Sequence, residues 1–442
     1  MSGRAKKFQI FLRMTLLLLI FFNGKVFAQL PTITPEEAGF NSTKLAEVTN
    51  QANTVYEAGL IPNYVIALAK DGKIFFSASR GNRVIGENDP VGMDTLFPLA
   101  SMSKPVVSSA IFKLIEDGEL TLQTELREIY PQFNDMLVAE NGYLDAQFEE
   151  ANRAITILDL LTHTSGLEYA TSVTGTSGVA DLYEELGLIN SCLSASENMD
   201  LLSQLPLISQ PGENWIYSVA TDVLGAVIEA VTGEPLGSYV GRAIFDPLGM
   251  ENSAWRFSNE VLENRYALIY NSPAPGEAPL GATDNTGINF QLVKTDVGCE
   301  ILPRSPVGSG GIAFDSGGGG MMGTATDYLR YVSMIAGLGQ LNNVRVLEER
   351  SVIAQTTQQA DAAQNLNGNP LRLFGAGFGI ALDPDNPGEA DFYSWGGAYN
   401  TGFFVDPKDG TVGVQMSSCL GCRQALIPNI EQIVDDARIN TD

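Results

Sequence analysis

Strand-forming runs sit at both ends of this 442-residue chain, and helix-forming runs fill the middle. Near the start, Tyr64–Lys70 and Lys73–Ser79 are β-rich and are joined by Asp71-Gly72, a dipeptide typical of a tight hairpin. Near the end, Phe374–Leu382, Phe392–Trp395, Thr401–Val405 and Val412–Ser417 read as strands, and Ile427–Arg438 reads as a closing helix. Residues 120–300 are helix-rich with long polar loops. The clearest helix there carries Val223, Leu224, Val227, Ile228 and Val231 on one face and ends at Gly233. This layout predicts an α/β (α+β) architecture: one sheet built from both termini (roughly 29–125 and 300–442), flanked by helices. The helical stretch of roughly 126–299 is then an insertion rather than an independent domain.

Composition narrows the chemistry. Hydrophobic residues make up 44% and charged residues 18%, as in a globular chain. The 52 Asp+Glu against 26 Lys+Arg give a net charge of −26, which repels nucleic-acid backbones and anionic membranes. A nucleic-acid partner is therefore not expected. A single histidine, His163, excludes a His-clustered metal site and leaves a Ser-His-Asp triad one candidate base. No Gly-x-Ser-x-Gly elbow is present to serve it, so His163 is expected to bond local backbone. Eight glycines crowd the sixteen positions 308–323, but no Gly-Lys-Ser/Thr follows; a tight turn lining a cleft is expected rather than a phosphate loop. Neither a metal nor an organic cofactor is called for.

The first 28 residues read as a secretory signal. A basic leader (Arg4, Lys6, Lys7, Arg13) precedes an apolar run, Met14–Phe22, that is too short to span a bilayer. Val26-Phe27-Ala28 then offers small residues at a cleavage site before Gln29. The mature chain, 29–442, is expected to be secreted or periplasmic, with no stable membrane insertion. In such a compartment Cys419 and Cys422 are expected as a local disulfide or as free thiols, and Cys192 with Cys299 is the other available pairing. Oligomeric state is left open by the sequence.

Three short constellations can carry chemistry. The first is Ser101-Met102-Ser103-Lys104. A Ser with Lys three residues on arises about once by chance in a chain of this size, so its placement carries the weight. It opens an amphipathic helix over 102–117, Pro105 is tolerable only in such a first turn, and Gly118 stands where a helix ends. Positions i and i+3 share a face, so the Lys104 amine can reach the Ser101 oxygen. The helix N-terminus and burial both disfavour an ammonium there, predicting a neutral lysine able to accept the serine proton. An N-cap serine beside a surface lysine is the alternative. The second is Trp215-Ile216-Tyr217-Ser218-Val219, where Tyr217 either places its phenol in a cleft or is simply a buried tyrosine. The third is Trp395-Gly396-Gly397-Ala398, whose glycines suit a close approach by a substrate or another backbone, or else a bulge.

Together with Leu160-Leu161-Thr162-His163-Thr164-Ser165-Gly166-Leu167, Pro211-Gly212, Phe245-Asp246-Pro247-Leu248-Gly249-Met250 and Gly319-Gly320-Met321-Met322-Gly323-Thr324-Ala325-Thr326-Asp327-Tyr328, these segments occur in an order that resembles the serine β-lactamase-like family. That family includes class C β-lactamases, DD-peptidases and family VIII carboxylesterases. The resemblance spans roughly residues 35–435 and implies the β-lactamase/transpeptidase-like fold. It also implies roles. Ser101 resembles the acylated nucleophile, Lys104 its proton acceptor, and Tyr217 the tyrosine that shares proton transfer. Trp395, Gly396 and Gly397 resemble the substrate-binding strand motif, and the N–H groups of Ser101 and Ala398 the oxyanion hole.

Two departures bear on substrate. Val219 stands where many relatives have Asn, and Trp395 stands where many have a cation for a substrate carboxylate. Trp395-Gly396-Gly397 in that place resembles the esterases of the family more than its lactamases. The expected activity is hydrolysis of a small-molecule ester through an acyl-serine. Hydrolysis of β-lactams or D-Ala-D-Ala peptides, acylation as a penicillin-binding protein, and amide or oligomer hydrolysis are the alternatives.

Overall fold

The computed structural model describes residues 30–139, 142–144, 148–189, 192–271, 291–292, 314–359, 372–422 and 430–439. The expected signal segment and Cys299 lie outside the described residues. In chain order, helix α1 (Ser42–Glu57) precedes strands β1 (Asn63–Lys70) and β2 (Lys73–Gly81) and helix α2 (Ser103–Glu116). Helices α3 (Ala220–Thr232) and α4 (Ala325–Ala336) follow. Strands β3 (Arg372–Phe374), β4 (Gly379–Leu382), β5 (Ala390–Gly397), β6 (Thr401–Val405) and β7 (Thr411–Met416) come next, and helix α5 (Ile430–Asp436) closes the chain.

The seven strands form one sheet in the order β3-β4-β5-β6-β7-β1-β2. Every neighbouring pair is antiparallel. The two ends of the chain meet where β1 pairs with β7, Val65 opposite Met416 and Lys70 opposite Thr411. The β1–β2 turn is left-handed at both Asp71 (φ 51°) and Gly72 (φ 68°), the geometry that Asp-Gly supplies at little cost.

Alternation assigns each face of the sheet a different cover. Val65, Ala67, Ala69, Phe403, Val405, Val412 and Val414 join the core that contains α2, α3 and α4. Tyr64, Ile66, Leu68 and Phe404, one residue out of phase, pack with Leu45 and Val48 of α1 and Ile430 and Val434 of α5. Helix α2 is buried along almost its whole length, from Ser103 to Leu114, so it is a central helix and not a surface amphipath. Each large aliphatic side chain buried this way contributes ~1.5–3 kcal/mol relative to exposure. The inserted region packs its helices against α2 and α3, and α3 stops at Gly233 (φ 69°).

One expected element divides. The run 374–382 is two strands, because Gly375–Phe378 turns back on itself with Gly375 N–H donating to Phe378 O at 2.8 Å. Gly377 (φ 89°) makes this turn against α2: a Cβ there would lie 2.5 Å from Ser108 Oγ. Cys419 and Cys422 form a disulfide, and Cys192 is also disulfide-bonded. No helix among the described residues is long and apolar enough to cross a membrane.

Candidate active site

Ser101 lies in a 3-10 turn, Ala100–Met102, that leads directly into α2. Ala100 just before it has φ 44°, a strained conformation for an L-residue and of the kind that collects at functional sites. The turn is fixed from below by Leu99 N–H, which donates to Met321 O at 3.0 Å. One helical turn on, Lys104 is fully buried. Its Nζ donates to Ser101 Oγ at 3.2 Å, Tyr169 Oη at 2.9 Å and Gly318 O at 2.7 Å. The i, i+3 contact expected between Ser101 and Lys104 is therefore made.

Tyr217 arrives from the segment that precedes α3, and its Oη donates to Ser101 Oγ at 2.7 Å. His163 holds that segment on both sides of the tyrosine. Its backbone carbonyl accepts from Ile216 N–H at 2.8 Å, and its Nδ1 accepts from Ser218 N–H at 3.3 Å. His163 itself is buried, with φ 56°. Burial, then the Lys104 charge, hold its pKa well below the ordinary histidine value. It is thus a neutral acceptor that anchors backbone, though backbone 55 residues away and not the local stretch that was expected.

Protonation at Lys104 runs opposite to the expectation. Burial alone lowers its pKa, but the phenolic groups of Tyr169 and Tyr217 and the Asp222 carboxylate outweigh it, and the net shift is upward. Hydrogen bonding agrees. Ser101 Oγ, Tyr169 Oη and Gly318 O can each accept one N–H of the ammonium. The helix terminus is outweighed because oxygen atoms delivered by other elements stand against Nζ.

Two members of this cluster were not singled out in the sequence. Tyr169 follows the Leu160–Leu167 segment by two residues, which is the one local signal that could have marked it. Asp222, in the first turn of α3, accepts from Ser316 Oγ at 2.6 Å and from Gly318 N–H at 3.0 Å. The glycine-rich stretch is a tight turn at the cleft, as expected for its described part. Trp255 Nε1 also holds it, donating to Ser316 O at 2.7 Å.

The opposite side is the end of β5. Gly396 pairs with Gly402 and Gly397 with Thr401. A Cβ at Gly397 would lie 2.3 Å from Leu99 O, so this glycine lets the strand press against the nucleophile's turn. Ala398 borders the cleft beside Ser101. The Trp395 ring packs on Tyr217 (5.7 Å between centroids) and Phe374 (5.0 Å) behind that border, and Trp395, Gly396 and Gly397 line a neighbouring groove with Ala398. The cleft itself has a volume of about 390 Å³. Val173, Leu188, Ile189, Val219, Ile269 and Met322 supply apolar lining. No Lys, Arg or His is among the described residues that line it. Tyr266 also lines it, and its buried hydroxyl has no hydrogen-bond partner among the described residues.

Comparison with known proteins agrees with this fold. The beta-lactamase family model matches residues 49–434, and the chain belongs to that family. It is a serine hydrolase of the β-lactamase/transpeptidase-like fold. Among its relatives, esterase EstB of Burkholderia gladioli is 32% identical over 383 residues, covering 85% of this chain and 90% of that one. A lovastatin esterase of Penicillium rubens is 26% identical, covering 82% and 88%. The solved structure of EstCE1, described as a hydrolase with promiscuous acyltransferase activity, superposes with a TM-score of 0.70 at 24% identity, covering 90% of this chain and 99% of that one.

Proposed function

We propose that this chain is an exported carboxylesterase that works through an acyl-Ser101 intermediate. The observation that carries the reading is the convergence of Lys104 Nζ (3.2 Å) and Tyr217 Oη (2.7 Å) on Ser101 Oγ, at the edge of an apolar cleft. In the reactive form the Lys104–Tyr217 pair is one proton short. Tyr217 takes the Ser101 proton, Oγ attacks the ester carbonyl, and the N–H groups of Ser101 and Ala398 hold the oxyanion. One such donor is worth ~3–4 kcal/mol in the transition state. Tyr217 returns the proton to the departing alkoxide. Water, deprotonated by the same group, then releases the acid.

Ester is favoured over β-lactam or peptide because the described lining offers no cation to a substrate carboxylate, and Val219 offers no amide to a peptide side chain. Export rests on the leader and on the two disulfide-bonded regions, Cys419–Cys422 and Cys192. A hydrolysis panel of short and long p-nitrophenyl esters, nitrocefin and a D-Ala-D-Ala peptide tests the substrate reading. Ester turnover is expected to exceed the others; nitrocefin or peptide turnover far above it would reverse the assignment.

A further inference from the structure

The pair that activates Ser101 has two places from which to lose its proton, and a single glycine joins one of them, Lys104, to a buried carboxylate. Asp222 is 1% exposed. Its Oδ1 accepts the N–H of Gly318, and the carbonyl of the same residue accepts from Lys104 Nζ at 2.7 Å. One glycine therefore joins the carboxylate to the ammonium. That residue has no room for a side chain: a Cβ on Gly318 would lie 2.4 Å from Asp222 Oδ2 and 3.0 Å from Tyr169 Oη. The turn is held rigidly around this bridge by Ser316 Oγ donating to Asp222 (2.6 Å), by Trp255, and by Asp315, whose two oxygens accept from Arg256 and from Gly237 N–H. The other groups that face Lys104 are the hydroxyls of Ser101, Tyr169 and Tyr217 and the buried imidazole of His163, whose pKa burial and the Lys104 charge hold well below the ordinary value. Asp222 is the carboxylate that acts on this lysine among the described residues: burial raises its pKa, and the Lys104 charge and the Ser316 and Gly318 hydrogen bonds oppose that rise.

We propose that Asp222, acting through Gly318, is a positioning residue that keeps the proton on Lys104 and so makes Tyr217 the group that deprotonates Ser101. Without the carboxylate, the pair loses its proton partly from Lys104. The base is then an amine 3.2 Å from Oγ in place of a phenolate 2.7 Å from it. The balance is simple. The pair's proton leaves to solvent when the reactive form is made; the Ser101 O–H bond then breaks, its proton forms a bond to Tyr217 Oη, and Oγ bonds the ester carbon.

This inference rests on the ester-hydrolase reading, and the sign of the effect separates it from a packing role. An anion beside the pair stabilises its protonated form, so it raises the pH at which the reactive form appears. Asp222→Asn keeps both acceptor bonds and removes the charge. The rising limb of kcat/KM for a p-nitrophenyl ester is expected to move about one pH unit toward acid, while the plateau falls about tenfold or more. Asp222→Glu and Trp255→Phe, which removes the Trp255 bond to Ser316 O, keep the charge and disturb the geometry; both are expected to lower the plateau and leave the limb in place. A limb unmoved in Asp222→Asn overturns the proposal, and so does a limb that moves in either charge-retaining variant, which holds even if Asp222→Asn does not fold. Absence of ester turnover in the unmodified chain would defeat the ester reading instead, before any variant is compared.

Discussion

The two walls of the cleft are built on opposite principles. On the Ser101 wall every polar group is tied to another: Lys104 to Ser101, Tyr169 and Gly318, Tyr217 to Ser101, and Asp222 to Gly318 and Ser316. On the far wall Ile269, Met322 and Tyr399 present apolar surface, and the Tyr266 hydroxyl is unpaired among the described residues. A tied network in a buried setting fixes geometry and proton positions, which a single chemistry requires. An apolar wall tolerates many neutral ligands and discriminates by shape, with one buried hydroxyl available to favour a substrate that can pair with it. The chemistry is thus held by the first wall and the choice of substrate by the second.

Substitutions on each wall should separate accordingly. Ser101→Ala is expected to reduce ester turnover by about 10⁴-fold or more while leaving the thermal midpoint near that of the parent. Activity within tenfold of the parent would remove Ser101 from the chemistry. Tyr217→Phe deletes the hydroxyl at 2.7 Å and is expected to lower kcat by about 10²–10⁴-fold. A silent change would reduce Tyr217 to packing. On the far wall, Ile269→Asp is expected to raise KM for apolar esters about tenfold with kcat nearly kept. Equal losses in kcat would show that the two walls are not separable.

The smallest effect is one of stability and pH. His163 has its pKa depressed in the folded chain, first by burial and then by Lys104, so its contribution is fully present above about pH 6.5 and is lost as pH falls below that value toward the folded pKa. His163→Gln is expected to lower the thermal midpoint at pH 7, and its gap from the parent should narrow between pH 7 and pH 5. A gap that stays constant would mean that His163 does not stay neutral when buried.

Legibility in the sequence followed the range of the interactions. The β1–β2 hairpin and the stop at Gly233 are written in a few adjacent residues, and local backbone chemistry decides them. Ser101 and Lys104 were visible because both lie on one helical turn. The break in 374–382 was not, because Gly377 is required by Ser108, which lies on α2 far away in sequence. Tyr169 and Asp222 were missed for the same reason: each meets Lys104 or Gly318 only after the inserted helices close over α2. The charge on Lys104 is hidden for the same reason: a helix terminus can be read from sequence, whereas partners delivered by other elements, the Asp222 carboxylate among them, cannot.

The most direct test is to trap the intermediate. The chain is mixed with a p-nitrophenyl ester, quenched in acid during turnover, and its peptides are weighed by mass spectrometry. An added acyl mass on the peptide that contains Ser101, absent from Ser101→Ala, is the predicted result. Turnover that proceeds with the acyl group on another residue, or that persists in Ser101→Ala, would contradict it.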